Sequence, residues 1–413
     1  MKKTLKVVAS LLLVLVTSTF VFAQVSNTNF ATAYTLRDDA DNFMDVRYFN
    51  EVDFSNFFLW ADFADVMNLG FAKKIDELYL GTYYYGTLWS GIDSTTTTTL
   101  NTTTVNKSID NFQMFDLLLG FSGMAFKFDT YFYLGNTSTV INSDEITTND
   151  SYYVFGLTWG GLSIPAGNAT FRPWARVGFE MSDKTDYRDD IINKIDNSNW
   201  LSVTLASDIE WGDKDGFFSV AGFDYTFYTA IGLNGVVAET TNASLSRADA
   251  QGICNVICPY YRFEYKASDK LELGGTVGVF TYIDTMSSGS IYNTNTLQTS
   301  GLDINVITST VVFSDIGLGL QYKIKPNFAM NAGFYASLPT FGYVKSVTTE
   351  VLAGVITEVE GGSSSMYSSI KTGFVWDINE NCALDASLDI GLHPSFLSSI
   401  LDGSLYLGFK YKK

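Results

Sequence analysis

Apolar and polar residues alternate through segments of about ten residues along most of this chain, and no other feature constrains its fold as tightly. An alternating strand has one apolar face and one polar face. Repeated along a chain, with short turns and long polar connections, it builds a barrel whose outer face meets lipid and whose inner face meets water. Near the C-terminus Leu384, Ala386, Leu388, Ile390 and Leu392 share one face, against Asp385, Ser387, Asp389 and Gly391. The last segment sets Leu405, Leu407, Phe409 and Tyr411 against Tyr406, Gly408, Lys410 and Lys412. A soluble sandwich shows this in a few strands. Its persistence here predicts an all-β, transmembrane antiparallel up-and-down barrel.

The N-terminus reads as an export signal. Lys2, Lys3 and Lys6 precede an apolar run from Val7 to Val16, and Val21-Phe22-Ala23 precedes a predicted cut at Gln24. No later apolar run is long enough for a membrane-spanning helix. The expected organisation is a signal peptide over 1–23 and one barrel domain over 24–413. Losing three of 26 basic residues leaves 23 against 44 acidic ones, a net charge of −21. Such a chain repels nucleic acid and offers no polybasic patch to anionic lipid. Cys254, Cys258 and Cys382 form no disulfide framework. On one strand Cys254 and Cys258 stand about 13 Å apart, beyond bonding reach, and only a curled loop end at Cys254 allows a local bridge.

Tight turns rich in Gly, Asn, Asp and Pro mark seven hairpins. They pair Phe63–Lys73 with Leu78–Trp89, Phe112–Phe121 with Ala125–Leu134, and Tyr152–Trp159 with Phe171–Ser182. Leu201–Trp211 pairs with Phe217–Tyr228, Tyr260–Lys266 with Leu271–Asp284, Ile316–Ile324 with Phe328–Leu338, and Ser369–Ile378 with Ala383–Leu392. Ser404–Lys412 makes the fifteenth strand. Both termini belong on the periplasmic side, so the count is even, and a strand within Asn42–Trp60 brings it to about 16. Fourteen follows if Phe112–Leu134 is one bent element. The apolar stretch Asp53–Phe71 also reads as a short helix able to plug the lumen. Long connections at Ser90–Asn111, Gly135–Ser151, Asp183–Trp200, Thr229–Ile253, Thr285–Val306 and Pro339–Met366 read as extracellular loops, and His393–Gly403 as a shorter one.

Catalytic chemistry has little to work with. The single histidine, His393, stands before a proline without acidic or thiol company, and no nucleophile elbow, phosphate loop or metal-ligand spacing occurs. The expectation is no enzyme, no metal and no cofactor. Phasing each strand by its apolar face instead directs charges inward: Lys127, Asp129, Arg172, Arg176, Glu180, Asp208, Glu210, Asp224, Arg262 and Glu264, then Lys323, Lys371, Asp385 and Asp389. A lipid-facing charge at the midplane costs about 2–4 kcal/mol, which forces this assignment wherever the strand is right. These residues either set ion preference in a pore or pair with one another in a closed barrel. Tyr79, Tyr83, Tyr85, Tyr131, Tyr133 and Trp174 phase inward too. Two readings compete for them: a surface along which sugar or acyl substrates slide, or part of the interfacial girdle, which is the favoured reading for most. Trp159, Phe179, Trp211 and Trp376 phase outward near strand ends and fit the girdle.

The final strand, with Leu405, Leu407, Phe409 and Tyr411, resembles the assembly signal of bacterial outer-membrane barrels, although Lys412 and Lys413 replace the usual terminal aromatic. The phrase from Leu69 to Trp89, including Gly70-Phe71-Ala72 and Leu80-Gly81-Thr82-Tyr83-Tyr84-Tyr85, looks like outer-membrane barrels of spirochaetes, particularly treponemes. The plug-bearing N-terminus of long-chain fatty-acid transporters has no match here. The resemblance implies an integral outer-membrane protein in contact with outer-membrane lipid, the barrel-assembly machinery and small solutes. The leading expectation is a porin-like channel for passive diffusion of small hydrophilic solutes or ions. The alternatives are an adhesin or antigen that displays its loops at the cell surface and, further off, a transporter for hydrophobic substrates. Thr229–Ile253 is long enough to be a constriction loop of the kind found in trimeric general porins.

Overall fold

A computed structural model describes residues 36, 45–49, 57–63, 66–87, 92–99, 102–121, 123–141, 144–188, 191–231, 234–240, 244–293, 298–299, 303–350, 355–361, 367–392 and 403–412. The export signal, Asp53 to Asn56 and His393 lie outside the described residues. Sixteen antiparallel strands form the wall: β1 Phe57–Phe63, β2 Val66–Ile75, β3 Leu78–Thr87, β4 Thr102–Phe121, β5 Met124–Ile141, β6 Asp144–Gly160, β7 Ala169–Arg188 and β8 Ile191–Gly212. They continue as β9 Phe217–Ala230, β10 Ser244–Ser268, β11 Leu271–Asn293, β12 Asp303–Lys325, β13 Phe328–Glu350, β14 Tyr367–Asn379, β15 Cys382–Leu392 and β16 Gly403–Lys412. Each pairs with its chain neighbour, and β1 closes the ring on β16, with Trp60 opposite Lys410 and Phe58 opposite Lys412. The barrel therefore has 16 strands, and within the closed ring no strand edge is left unpaired.

The first strand begins within Asn42–Trp60, as the even count requires, but runs on to Phe63, so the next strand starts at Val66 and not at Phe63. The part of Asp53–Phe71 that is described forms β1 and most of β2 rather than a helix. Short turns follow the expected chemistry. Gly123 takes a φ of 80° between β4 and β5, and Asp76 takes 54° between β2 and β3, the left-handed conformation of two-residue hairpin turns.

The long connections need correction. β5 and β6 run on through most of Gly135–Ser151, and β7 and β8 through most of Asp183–Trp200. Much of Thr229–Ile253 is strand as well: Asn234–Thr240 pairs with both β8 and β10. Strand β10 has 25 residues, where about 9–11 cross a bilayer. The wall from β4 to β13 thus stands well beyond the membrane, while β1 to β3 and β14 to β16, with 7 to 13 residues each, do not.

The outer face is an apolar band. Phe115, Phe155, Val177, Leu205, Phe223, Val277, Leu318, Phe334, Phe374 and Leu407 are all exposed, on ten different strands. Such a surface is stable in lipid and not in water. Leu205→Arg, well inside β8, should destabilise the folded barrel by about 2–4 kcal/mol, while Ile324→Arg beside a turn should cost about 0–1 kcal/mol. Denaturant titration in lipid vesicles reads both. Equal costs at the two positions would mean that the band is not the membrane-facing zone.

Candidate lumenal site

The inner face is built from charge pairs that the strand register brings together. Lys371 on β14 lies directly opposite Asp389 on β15, with Nζ 2.8 Å from its carboxylate. Lys410 on β16 reaches Asp385 at 2.9 Å, and Lys323 on β12 reaches Glu272 on β11 at 3.2 Å. On the other side Asp116 and Asp129 are direct cross-strand partners, a repulsive arrangement by itself. Lys127, 3.5 Å from Asp116, and Arg176, 2.5 Å from Asp129, offset it. Arg262 and Glu264 are neighbours on β10 at 3.8 Å. The sequence-predicted inward charges therefore stand mostly as pairs.

Several of the inward aromatics make ring contacts with one another, some stacked and others tilted or edge to face. A girdle lies on the lipid-facing side, and these rings are on the opposite face of their strands. Phe58 stacks on Trp60, and Trp60 on Tyr83, at centroid distances of 5.0 and 6.3 Å. Tyr85, Phe112, Tyr131 and Tyr152 continue from β3 to β6 at 5.3, 6.3 and 5.7 Å, and Tyr152 donates to Glu180 on β7. Tyr133 is half-buried on β5. Of the outward aromatics, Trp211 and Trp376 are exposed and Trp159 and Phe179 half-buried. Cys254 and Cys258 share the inner face of β10, and all three cysteines are free.

Inside the barrel, at its short-turn end, lies the segment Asp45–Phe49. All five of its residues are buried. Asp45 folds it into a turn: its carbonyl accepts from the Tyr48 and Phe49 amides, and its carboxylate from the Arg47 amide. Arg47 then bridges segment and wall. Its guanidinium donates to Asp45 at 2.8 Å, to Asp208 on β8 at 3.2 Å, and to the Tyr260 hydroxyl on β10 at 2.8 Å. Asp208 is fully buried and also accepts from the Tyr48 hydroxyl at 2.6 Å and from Tyr260. Arg172 on β7 pairs with Glu210 at 2.8 Å and donates to the Arg47 carbonyl and to Ser163. The Arg47 and Arg172 guanidinium groups both lie over the Tyr48 ring, 5.6 and 5.2 Å from its centroid.

The apolar half of the segment enters a cluster of inner-face side chains. Val46 and Phe49 join Phe58, Trp60, Ala72, Tyr83, Leu118, Ala125 and Trp174. Phe49 meets Tyr79 edge to face at 5.5 Å and fills the space left by Gly120 and Gly161. Of the predicted inward residues, Trp174, Tyr79, Arg172, Asp208 and Glu210 thus hold this segment. Sequence reading placed Asp45–Phe49 only inside a candidate strand region. The available signal was a charged and aromatic stretch without alternation, facing inner positions that are unusually small at one end of the wall.

A closed antiparallel barrel with an apolar exterior and a charged interior is the architecture of integral outer-membrane proteins. No protein-family model matches the chain, and no curated protein matches it in sequence. Solved structures similar to it are outer-membrane barrels. CdiB from Acinetobacter baumannii is 10% identical, with 87% of this chain and 60% of that one covered and a TM-score of 0.47. CdiB from Escherichia coli is 8% identical over 86% and 63%, with a TM-score of 0.45. The TodX monoaromatic hydrocarbon channel is 7% identical over 95% and 99%, with a TM-score of 0.44. The match thus spans less than two thirds of either CdiB chain.

Proposed function

We propose that this protein is an outer-membrane channel for passive diffusion of small hydrophilic solutes or ions, narrowed at its short-turn end by Asp45–Phe49. The observation that carries this reading is the distribution of polarity inside the wall. From β11 to β16 the inner face presents Glu272, Lys323, Asn331, Lys371, Asp385 and Asp389, a surface suited to water and ions. The apolar inner cluster lies on the opposite side and is occupied by Val46 and Phe49. A route for hydrophobic substrates would need that cluster to be vacant. No catalytic role is assigned to any residue, and Leu405, Leu407, Phe409 and Tyr411 are the proposed signal to the assembly machinery. The resemblance of the Leu69–Trp89 phrase to spirochaete barrels supports a kinship with that type.

The tall wall from β4 to β13 favours a second reading, in which the barrel displays these hairpins at the cell surface. Single-channel recording of refolded protein in a planar bilayer separates the two. Stable conductance steps are the expected result from the wild type, or from the Arg47→Ala protein if the segment seals the lumen. No steps from either, with folding shown by heat-modifiable migration, would leave display as the better account.

A further inference from the structure

Charge on the inner wall is not balanced. Among the described residues, every basic side chain that is at least partly buried has a carboxylate within ion-pair distance. The converse fails. Glu180 on β7, Asp224 on β9, Asp284 on β11 and Asp315 on β12 have no ion-pair partner among the described residues. Glu180 accepts from the Tyr152 hydroxyl and Asp284 from Ser309, both neutral groups, while Arg176 and Arg47 act on Glu180 and Asp224 only from beyond ion-pair distance. Asp224 is only 5% exposed, and one oxygen each of Asp224, Asp284 and Asp315 has no hydrogen-bond partner.

Register places these acids along one arc of the wall. Asp224 lies opposite Cys258 on β10, Tyr260 of that strand lies opposite Gly278 on β11, and Gly278 lies opposite Asp315. Asp224 and Asp315 are therefore two residues out of register, about 7 Å along the strands and about 14 Å across three strand spacings. Asp284 is six residues further along β11 than Gly278, towards the tall rim. A carboxylate withdrawn from bulk water without a counter-charge takes up a proton unless water or a mobile cation reaches it. In a lumen that cation is the one passing through.

Building on the channel reading above, we infer that the lumen prefers cations over anions, with Asp224 the principal determinant and Asp315, Asp284 and Glu180 adding to it. The paired charges, Arg172, Arg176 and Asp385 among them, contribute little because each is neutralised by its neighbour. Phasing from sequence alone gives these equal standing with Asp224 and overlooks Asp284 and Asp315.

The test is reversal potential in a tenfold KCl gradient at pH 8, on the wild type and on the Arg47→Ala protein. The expected potassium-to-chloride permeability ratio is about 3 or more. Asp224→Asn should lower it about twofold, and Asp224→Asn with Asp284→Asn and Asp315→Asn should bring it to about 1. Glu380→Gln, at the exposed turn between β14 and β15, should leave it unchanged. Currents with no cation preference, or a ratio unmoved in the folded triple variant, would overturn this inference and leave the channel standing. No current from either folded parent protein overturns the channel reading itself, a result that cannot be confused with an unselective current.

Discussion

Replacing Arg47 by alanine is expected to enlarge the single-channel conductance severalfold, or to create one where the wild type shows none. The guanidinium is the main polar link between Asp45–Phe49 and the wall, through Asp208 and Tyr260. Without it Asp208, fully buried, loses its cationic partner and keeps only hydroxyl donors. Removing one member of a buried pair costs about 3–5 kcal/mol, because the other charge is left uncompensated. The barrel can avoid most of that cost by releasing the segment, which admits water to Asp208. It need not unfold, since the backbone ladder closes through β1 and β16 without the segment. Lysine at position 47 keeps the charge but loses the fork that reaches Asp45, Asp208 and Tyr260 together, so Arg47→Lys should fall between. An unchanged conductance in folded Arg47→Ala would show that the segment is outside the ion path.

The same contacts show why some of this was legible in the sequence and some was not. Where a strand crosses lipid, one face must be apolar, so Leu384–Leu392 or Leu201–Trp211 declares both its direction and its inner face. Beyond the bilayer both faces are wet and the constraint disappears. The residues of β5 and β6 between Gly135 and Ser151 are Thr, Ser, Asn, Asp and Glu with a few apolar side chains, and their composition suggests loop although the ladder continues through them. Pairing of charges is a property of register, which a one-residue slip would change throughout, and no local pattern encodes it. That is why Lys371 and Asp224 look alike in sequence and differ in the folded chain. The segment at Asp45–Phe49 is harder still. Its binding partners Asp208 and Tyr260 are 161 and 213 residues away from Arg47. A charged aromatic stretch acquires meaning only when closure of the ring sets those strands around it.

Gly120→Leu should give a conductance as large as that of Arg47→Ala, by a purely steric route. A Cβ at position 120 would lie 1.7 Å from Cε2 of Phe49 and 2.4 Å from its Cζ, so ring and side chain cannot coexist. The backbone of β4 has no room to yield, because Gly120 is held opposite Tyr79 on β3 and Ala125 on β5. Nor can the ring tilt aside. Tyr79 meets it edge to face, and Gly161 closes the other side, where an added Cβ would lie 2.8 Å from the ring. Phe49 must therefore leave, forfeiting burial of a whole aromatic side chain, about 2–3 kcal/mol. The wall loses nothing comparable, since the new leucine fills the vacated space. Gly391→Leu is the matched control: it adds an inner-face leucine where a Cβ meets nothing within 4 Å, and conductance should not rise. The double variant Arg47→Ala with Gly120→Leu should conduct no more than either single one, because both changes release the same five residues and a segment already free cannot be freed again. Additive effects would mean that the arginine and the phenylalanine restrict the lumen separately. A Gly120→Leu protein that folds and keeps the wild-type conductance would mean that Phe49 does not obstruct it.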